Sequence, residues 1–356
     1  MVTERVEPEV LTPAELDAYL ARGWYRIGHR MITTDLLPWR GELRSTLWTR
    51  LEVRGHRFSR SIRKLIAGNG RRFQVRTGEL VIDPEREGLY ARYLEKVGGE
   101  RAESLTEVVG GERGRALFDT REVSVWSGER LVAFSWYDLG LHSVQSLIGV
   151  YDPAFSKHSL GLYTLLLEIL QTAELGKRFH YAGYVLAEPS PMDYKLQVGG
   201  LQFLDPATSD WLPAPPFPRT ESPAEILRAR LDAAEGELGR AGVEVFRYVN
   251  PALKIHGLLE KAPLCPPHPL LLVCGSASGA RVVLVAWEPQ RKVYTLMRAR
   301  VAVATLQRGT EGEGMVREEI GLFFVESLIG EGSSVEEVAG LVRLHLARMA
   351  AWITVG

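Results

Sequence analysis

Between Thr120 and Ala187 the hydrophobic period of the chain changes from two to helical and back, and this alternation constrains the fold more than any other feature. TREVSVWSGERLVAFSWYD is two β-rich runs around Ser127-Gly128, and SVQSLIGVYD adds a third, so an antiparallel meander is expected. A helix from residue 160 to about 175 follows, uncharged until Glu168 and ending before Gly176, and FHYAGYVLA supplies another strand. A helix set among strands in this way covers a face of their sheet. The expected class is α+β, with a mixed, mainly antiparallel sheet and flanking helices.

Capping signals organise the flanks. LTPAELDAYLARG carries a capping box, with Thr12 as N-cap, Pro13 at the first helical position and Glu15 reaching back. STLWTRLEVRGHRF alternates apolar and polar positions, SRSIRKLIAGNG reads as a Ser-capped helix closed by glycine, and DPEREGLYARYLEKVGG as a helix led by Asp83 and Pro84. WLPAPPFPRTESP, with five prolines from residue 213 to Pro223, interrupts the pattern as a linker. Beyond it lie a capped helix at Ser222-Pro223, a run of hairpins and a terminal helix in SSVEEVAGLVRLHLARMAAWI. The expected division is an N-terminal α/β lobe at 1–119, a core at 120–212, the linker at 213–222 and a C-terminal α+β region at 223–356.

Composition excludes several classes. An apolar fraction of 46% with 24% charged residues is globular, and no stretch approaches the length of a membrane span. MVTERVEPEV has no apolar signal region, so a cytoplasmic protein is expected, with no membrane partner and no DNA partner. Cys265 and Cys274 form no disulfide framework and no zinc spacing, so no metal is expected. The net charge of −1 hides a cluster of eight cations between Arg54 and Arg76 with no acidic residue. That segment is either a solvated basic face or a seat for a polyanion or an acidic peptide.

Tyr151-Asp152-Pro153 ends a strand, and Ser159-Leu160-Gly161 opens the helix behind it. First-turn N–H groups and the helix dipole make such a start a phosphate seat, and Gly161 lets a ligand approach the backbone. The same residues also describe a plain Ser-capped buried helix. The order strand, strand, strand, helix, strand resembles the acyltransferase core of the GNAT superfamily, although Leu162 replaces the second glycine of its pyrophosphate loop.

A longer stretch, YDPAFSKHSLGLYTLLLEILQTAELGKRFHYAGYVLAEPSPMDYK, resembles the C-terminal signature of the arginyltransferases and bacterial leucyltransferases. These enzymes move an amino acid from aminoacyl-tRNA to a protein N-terminus. The matching positions are Tyr151, Asp152, Pro153, Ser159, Leu160, Gly161, Tyr181, Gly183, Tyr184, Met192, Tyr194 and Lys195. Upstream, Arg50, Phe58, Ser59, Arg60, Ser61, Arg63 and Asn69 resemble the family's N-terminal stretch, whereas Leu43 and Thr46 stand where its cysteine motif belongs. The resemblance covers roughly residues 10 to 205; no metal or iron–sulfur centre is expected at the missing cysteines.

The resemblance implies a GNAT-like core that performs aminolysis of an aminoacyl ester, with aminoacyl-tRNA as co-substrate, a protein or peptide N-terminus as acceptor and no cofactor. Ser159, Leu160 and Gly161 would grip the 3′-terminal phosphates, with a hydroxyl contact from Tyr163. Asp152 is the first candidate to receive the amine proton and Asp138 the second, although both also suit turns or strand ends. Tyr181 and Tyr184, on opposite strand faces, divide between the aminoacyl pocket and the core. Lys195 would hold phosphate or an acceptor carboxylate, and Arg60 and Arg63, beside Ser61, an acidic acceptor side chain or the tRNA backbone. Three alternatives share these residues: an acetyl-CoA-dependent N-acetyltransferase, a transferase with a small-molecule or peptide acceptor, and an inactive binding relative.

Overall fold

Side-chain caps start several of the helices where the sequence places them. In the computed structural model, which describes residues 3–39, 42–98, 101–250, 265–275, 281–308 and 316–353, Thr12 and Glu15 form a reciprocal capping box on α1 (Pro13–Ala21). Ser59 accepts from Ile62 N–H on α2 (Arg60–Gly70), and Asp83 from Arg86 N–H on α3 (Pro84–Val97). Two short helices follow, α4 (Leu105–Val109) and α5 (Gly111–Leu117), before the apolar α6 (Leu160–Glu174). Ser222 caps α7 (Pro223–Arg240), and Ser334 accepts from Glu337 N–H at the start of α8 (Val335–Ile353).

The strands are β1 (Thr3–Val6), β2 (Tyr25–Ile27), β3 (Arg30–Thr34), β4 (Leu36–Trp39), β5 (Glu42–Glu52) and β6 (Gln74–Glu79). The meander comprises β7 (Thr120–Ser127), β8 (Arg130–Leu139) and β9 (Ser143–Tyr151), and β10 (Phe179–Leu186), β11 (Gln202–Leu204) and β12 (Trp211–Leu212) follow α6. The last five are β13 (Val245–Val249), β14 (Leu270–Cys274), β15 (Arg281–Glu288), β16 (Val293–Arg308) and β17 (Val316–Gly332).

The chain divides into two units. The first, Val2–Asp35 with Ser45–Pro218, contains a small sheet β1-β3-β2 and a large one in the order β12-β11-β5-β10-β9-β8-β7-β6. Neighbours in the large sheet are antiparallel except β9 and β10, which run parallel because α6 carries the chain back between them. One cluster joins Leu89, Tyr90 and Leu105 of α3 and α4 to Phe134, Trp136 and Val150, and another joins Leu160 and Tyr163 of α6 to Val125 and Ala133. With both faces covered, Leu131 to Asp138 of β8 are all buried. The alternation expected in β5 gives way for the same reason: Ser45 to Thr49 are buried without a break, because β5 is an interior strand between β10 and β11.

The second unit, Leu36–Arg44 with Arg219–Gly356, is an antiparallel sheet β13-β14-β15-β16-β17. Leu227, Leu231 and Leu238 of α7 and Val338 and Val342 of α8 pack on Leu272, Val283, Val285 and Leu296 of that sheet. Leu36 and Leu43 belong to the same cluster, so one cysteine-motif position is a core leucine. Among the described residues no helix is long and apolar enough to cross a membrane.

Candidate active site where β9 and β10 part

Parallel pairing of β9 with β10 runs only from Phe179–Ser143 to Tyr181–Gln145, after which the two strands separate. The cause is local. Gly183 adopts φ +81°, open to glycine and costly for other residues, and the register of β10 against β5 shifts between His180 and Gly183. Two side chains enter the resulting notch. Lys195 Nζ donates to the carbonyls of Ala182 (2.7 Å) and Tyr184 (3.1 Å) on β10, and Tyr25 Oη donates to the Leu147 carbonyl on β9 (2.7 Å). Burial pushes the Lys195 ammonium down to about 8 and the Tyr25 phenol up. Ser146 to Gly149 of β9, the stretch past the last pair with β10, are each partly exposed.

Beneath the notch lies a polar chain. Glu168 of α6 is 1% exposed; it accepts from Ser146 Oγ at 3.3 Å, and its other oxygen lies 3.1 Å from His180 Nε2. His180 Nδ1 is buried without a hydrogen-bond partner. The charge of Glu168 also acts on Tyr25, Tyr194 and Lys195. Its placement depends on the parallel β9–β10 crossover, which the local spacing of YTLLLEI does not reveal.

The start of α6 is not a plain Ser cap. Ser159 is left-handed, at φ 51° and ψ 43°, and its side chain makes no capping hydrogen bond. The N–H groups of Leu160, Gly161 and Leu162 are therefore left without a cap at the positive end of the dipole. Cations gather beside them: Lys157 is exposed, Arg72 Nη1 lies 2.8 Å from His158 Nδ1, and Asn69 Nδ2 donates to the His158 carbonyl, docking α2 against this corner. Desolvation, with the charges of Arg72 and Lys157, pushes the His158 imidazole down. All eight cations from Arg54 to Arg76 are exposed, Arg60, Ser61 and Arg63 among them. Gly161 has a packing role as well, since a side chain there would meet the Tyr151 ring at 3.3 Å.

The two aspartates are each held by cations of their own. Asp152, 2% exposed, accepts from Ala154 N–H (2.9 Å) and Arg130 (2.5 Å). Burial raises its carboxyl, but Ala154, Arg130 and Arg92 outweigh that and hold it below its ordinary value. Asp138 is fully buried against Arg26 (2.5 Å) and Thr120 (2.6 Å), with burial pushing it up and those partners opposing. Tyr181 packs on Leu16, Leu20 and Phe118 and edge-on to Trp211, while half-buried Tyr184 meets Trp48 edge-on. Leu160 and Tyr163 are both 1% exposed in the core. Thr46, at the second cysteine-motif position, donates its hydroxyl to the Thr34 carbonyl.

Residues 85–205 match the family model described as Arginine-tRNA-protein transferase, C terminus. An aspartate/glutamate leucyltransferase of Leptospira interrogans is 30% identical over 146 residues, 39% of this chain and 56% of that protein, so the match spans little more than half of its length. One from Vibrio cholerae is 26% identical over 55% of this chain and 82% of its own, and arginyl-tRNA–protein transferase 1 of Drosophila melanogaster is 30% identical over 30% of this chain and 21% of its own. Among solved structures, the C-terminal domain described as that of a lysylphosphatidylglycerol synthetase from Agrobacterium fabrum gives a TM-score of 0.32 at 9% identity, covering 39% of this chain and 46% of that one. L-PGS from Bacillus licheniformis gives 0.32 at 11%, covering 50% and 51%. Residues 85–205, which include the Tyr151–Lys195 motifs, are thus similar to the C-terminal part of the arginine-tRNA-protein transferases, and the chain is similar over part of its length to aspartate/glutamate leucyltransferases.

Proposed function

We propose that the first unit is a GNAT-like aminoacyltransferase, moving an amino acid from aminoacyl-tRNA to the N-terminal amine of a protein or peptide. The observation that carries this reading is the uncapped α6 start beside Lys157, His158 and Arg72, at the end of the strand that borders the notch. Backbone N–H groups and cations there suit the terminal phosphates of a tRNA, held by Ser159, Leu160 and Gly161. The exposed face carrying Arg60, Ser61 and Arg63 continues the positive surface toward the rest of the tRNA or an acidic acceptor. The ester then lies in the notch, between Tyr184 with Lys195 on one wall and β9 on the other.

The donor ester is already activated, so alignment, exclusion of water and removal of one proton supply the acceleration. No organic cofactor or metal enters that chemistry. The test mixes the purified chain with radiolabelled total aminoacyl-tRNA and peptides beginning with Asp, Glu or Ala. Label in a peptide supports the reading, and the amino acid that carries it identifies the donor. Silence with every peptide, with turnover of acetyl-CoA instead, replaces it by an N-acetyltransferase that uses the same phosphate seat.

A further inference from the structure

A stripe of α6 ties the phosphate seat to the buried polar chain. Gly161, Thr164 and Glu168 stand at i, i+3 and i+7, one face of a helix. They follow β9 step by step: Gly161 against Tyr151, Thr164 Oγ1 within 3.4 Å of the place a side chain on Gly149 would take, and Glu168 bonded to Ser146. From the α6 start to Glu168 the helix advances about 12 Å. A terminal nucleotide whose phosphate sits at the seat and whose sugar follows β9 into the notch brings its ester to the Ser146 end.

We infer that Glu168, reached through the Ser146 hydroxyl, is the proton acceptor of the transfer step, an assignment that rests on the aminoacyl-transfer reading above. Ser146 is partly exposed on β9 just past the last residue paired with β10, and its hydroxyl donates to Glu168 at 3.3 Å; in this assignment that hydroxyl meets the incoming amine. The acceptor arrives as an ammonium ion. One proton passes from its nitrogen to Ser146 Oγ as the hydroxyl proton of Ser146 passes to Glu168 Oε1. The freed lone pair forms the N–C bond to the ester carbonyl, the bond from that carbon to the ribose oxygen breaks, and the departing oxygen takes a second proton from the same nitrogen. The proton on Glu168 leaves with the products.

His180 positions the carboxylate. A proton on its Nε2 holds one Glu168 oxygen and leaves the other to Ser146, with the partnerless Nδ1 as the lone-pair nitrogen. Of the two aspartates, Asp152 has donors on both oxygens, whereas Asp138 is fully buried with Arg26 and Thr120 both on Oδ1 and with Oδ2 unpartnered.

The test compares wild type, Glu168→Gln and Ser146→Ala with two acceptors, a peptide that wild type labels and hydroxylamine, whose nitrogen is largely unprotonated at neutral pH and needs no base. Glu168→Gln is expected to lower transfer to the peptide by about 100-fold or more. Ser146→Ala is expected to lower it in the same direction. Both variants should keep transfer to hydroxylamine, above the protein-free rate, within a few-fold of wild type, which also shows that they fold. Unchanged peptide transfer by Glu168→Gln overturns the assignment, as does equal loss with both acceptors. A wild type silent with both acceptors overturns the aminoacyl-transfer reading itself and this assignment with it.

Discussion

Tyr25 and Leu147 lie 122 positions apart, yet the Tyr25 hydroxyl donates to the Leu147 carbonyl at 2.7 Å. The bond gives β9 a partner on the edge that β10 has left, and it fixes the N-terminal β2 strand against the notch. Tyr25→Phe keeps the ring on Trp48 and removes only the hydroxyl. A loss of about 1 kcal/mol in urea unfolding is expected, together with a fall in aminoacyl transfer larger than that loss alone produces.

Lys195 gives the fold a signature in alkaline solution. The unfolded chain holds this proton up to the ordinary lysine value of 10.5, whereas the folded one releases it near a pKa of about 8. Between those limits the unfolded state binds more protons, so stability rises with pH; below about 8 the full cost of the buried ammonium is present. The gain is about 1–3 kcal/mol. Denaturation of wild type and Lys195→Met from pH 7 to 11 checks this, since the variant lacks that component of the rise.

Arg26 spends its guanidinium wholly inside the protein, on Asp138, Thr120 and the carbonyls of Gly28 and Val109. Arg26→Met leaves a buried carboxylate without its countercharge and is expected to cost about 3–5 kcal/mol in urea denaturation. Adding Asp138→Leu removes the stranded charge. The double variant should recover part of the loss.

Arg60, Arg63 and Arg72 are exposed, so replacing all three by Gln should move unfolding by no more than about 0.5 kcal/mol each. Binding to tRNA should respond differently. Each lost phosphate contact lowers the slope of log K against log salt by about 1, which titration at several ionic strengths measures.

Much of this was legible in the chain. Thr12, Ser59, Asp83 and Ser222 cap helices because capping depends on residues three apart, which a sequence displays directly. The meander and α6 follow from period in the same way. Glu168 was hidden because its partners Ser146 and His180 come from two strands that meet only through a parallel crossover, and a lone carboxylate in YTLLLEI carries no trace of them. The left-handed Ser159 was equally concealed, since serine before a helix normally reads as a cap. Asp152 looked free because its cations, Arg130 and Arg92, lie 22 and 60 positions upstream, a separation at which spacing says nothing.

The membership of Leu36–Arg44 in the second unit gives synthesis of this protein an order of events. Leu36 and Leu43, 5% and 3% exposed, join a core whose other members begin at Ala224. A ribosome delivers those partners on the order of ten seconds later. Until then two leucines and their flanking backbone wait outside any finished core, although the helices and strands around them are complete. Severing the chain at the proline-rich segment would therefore not release two self-sufficient halves: the C-terminal piece would lack an internal tenant, and the N-terminal piece would keep a sticky one.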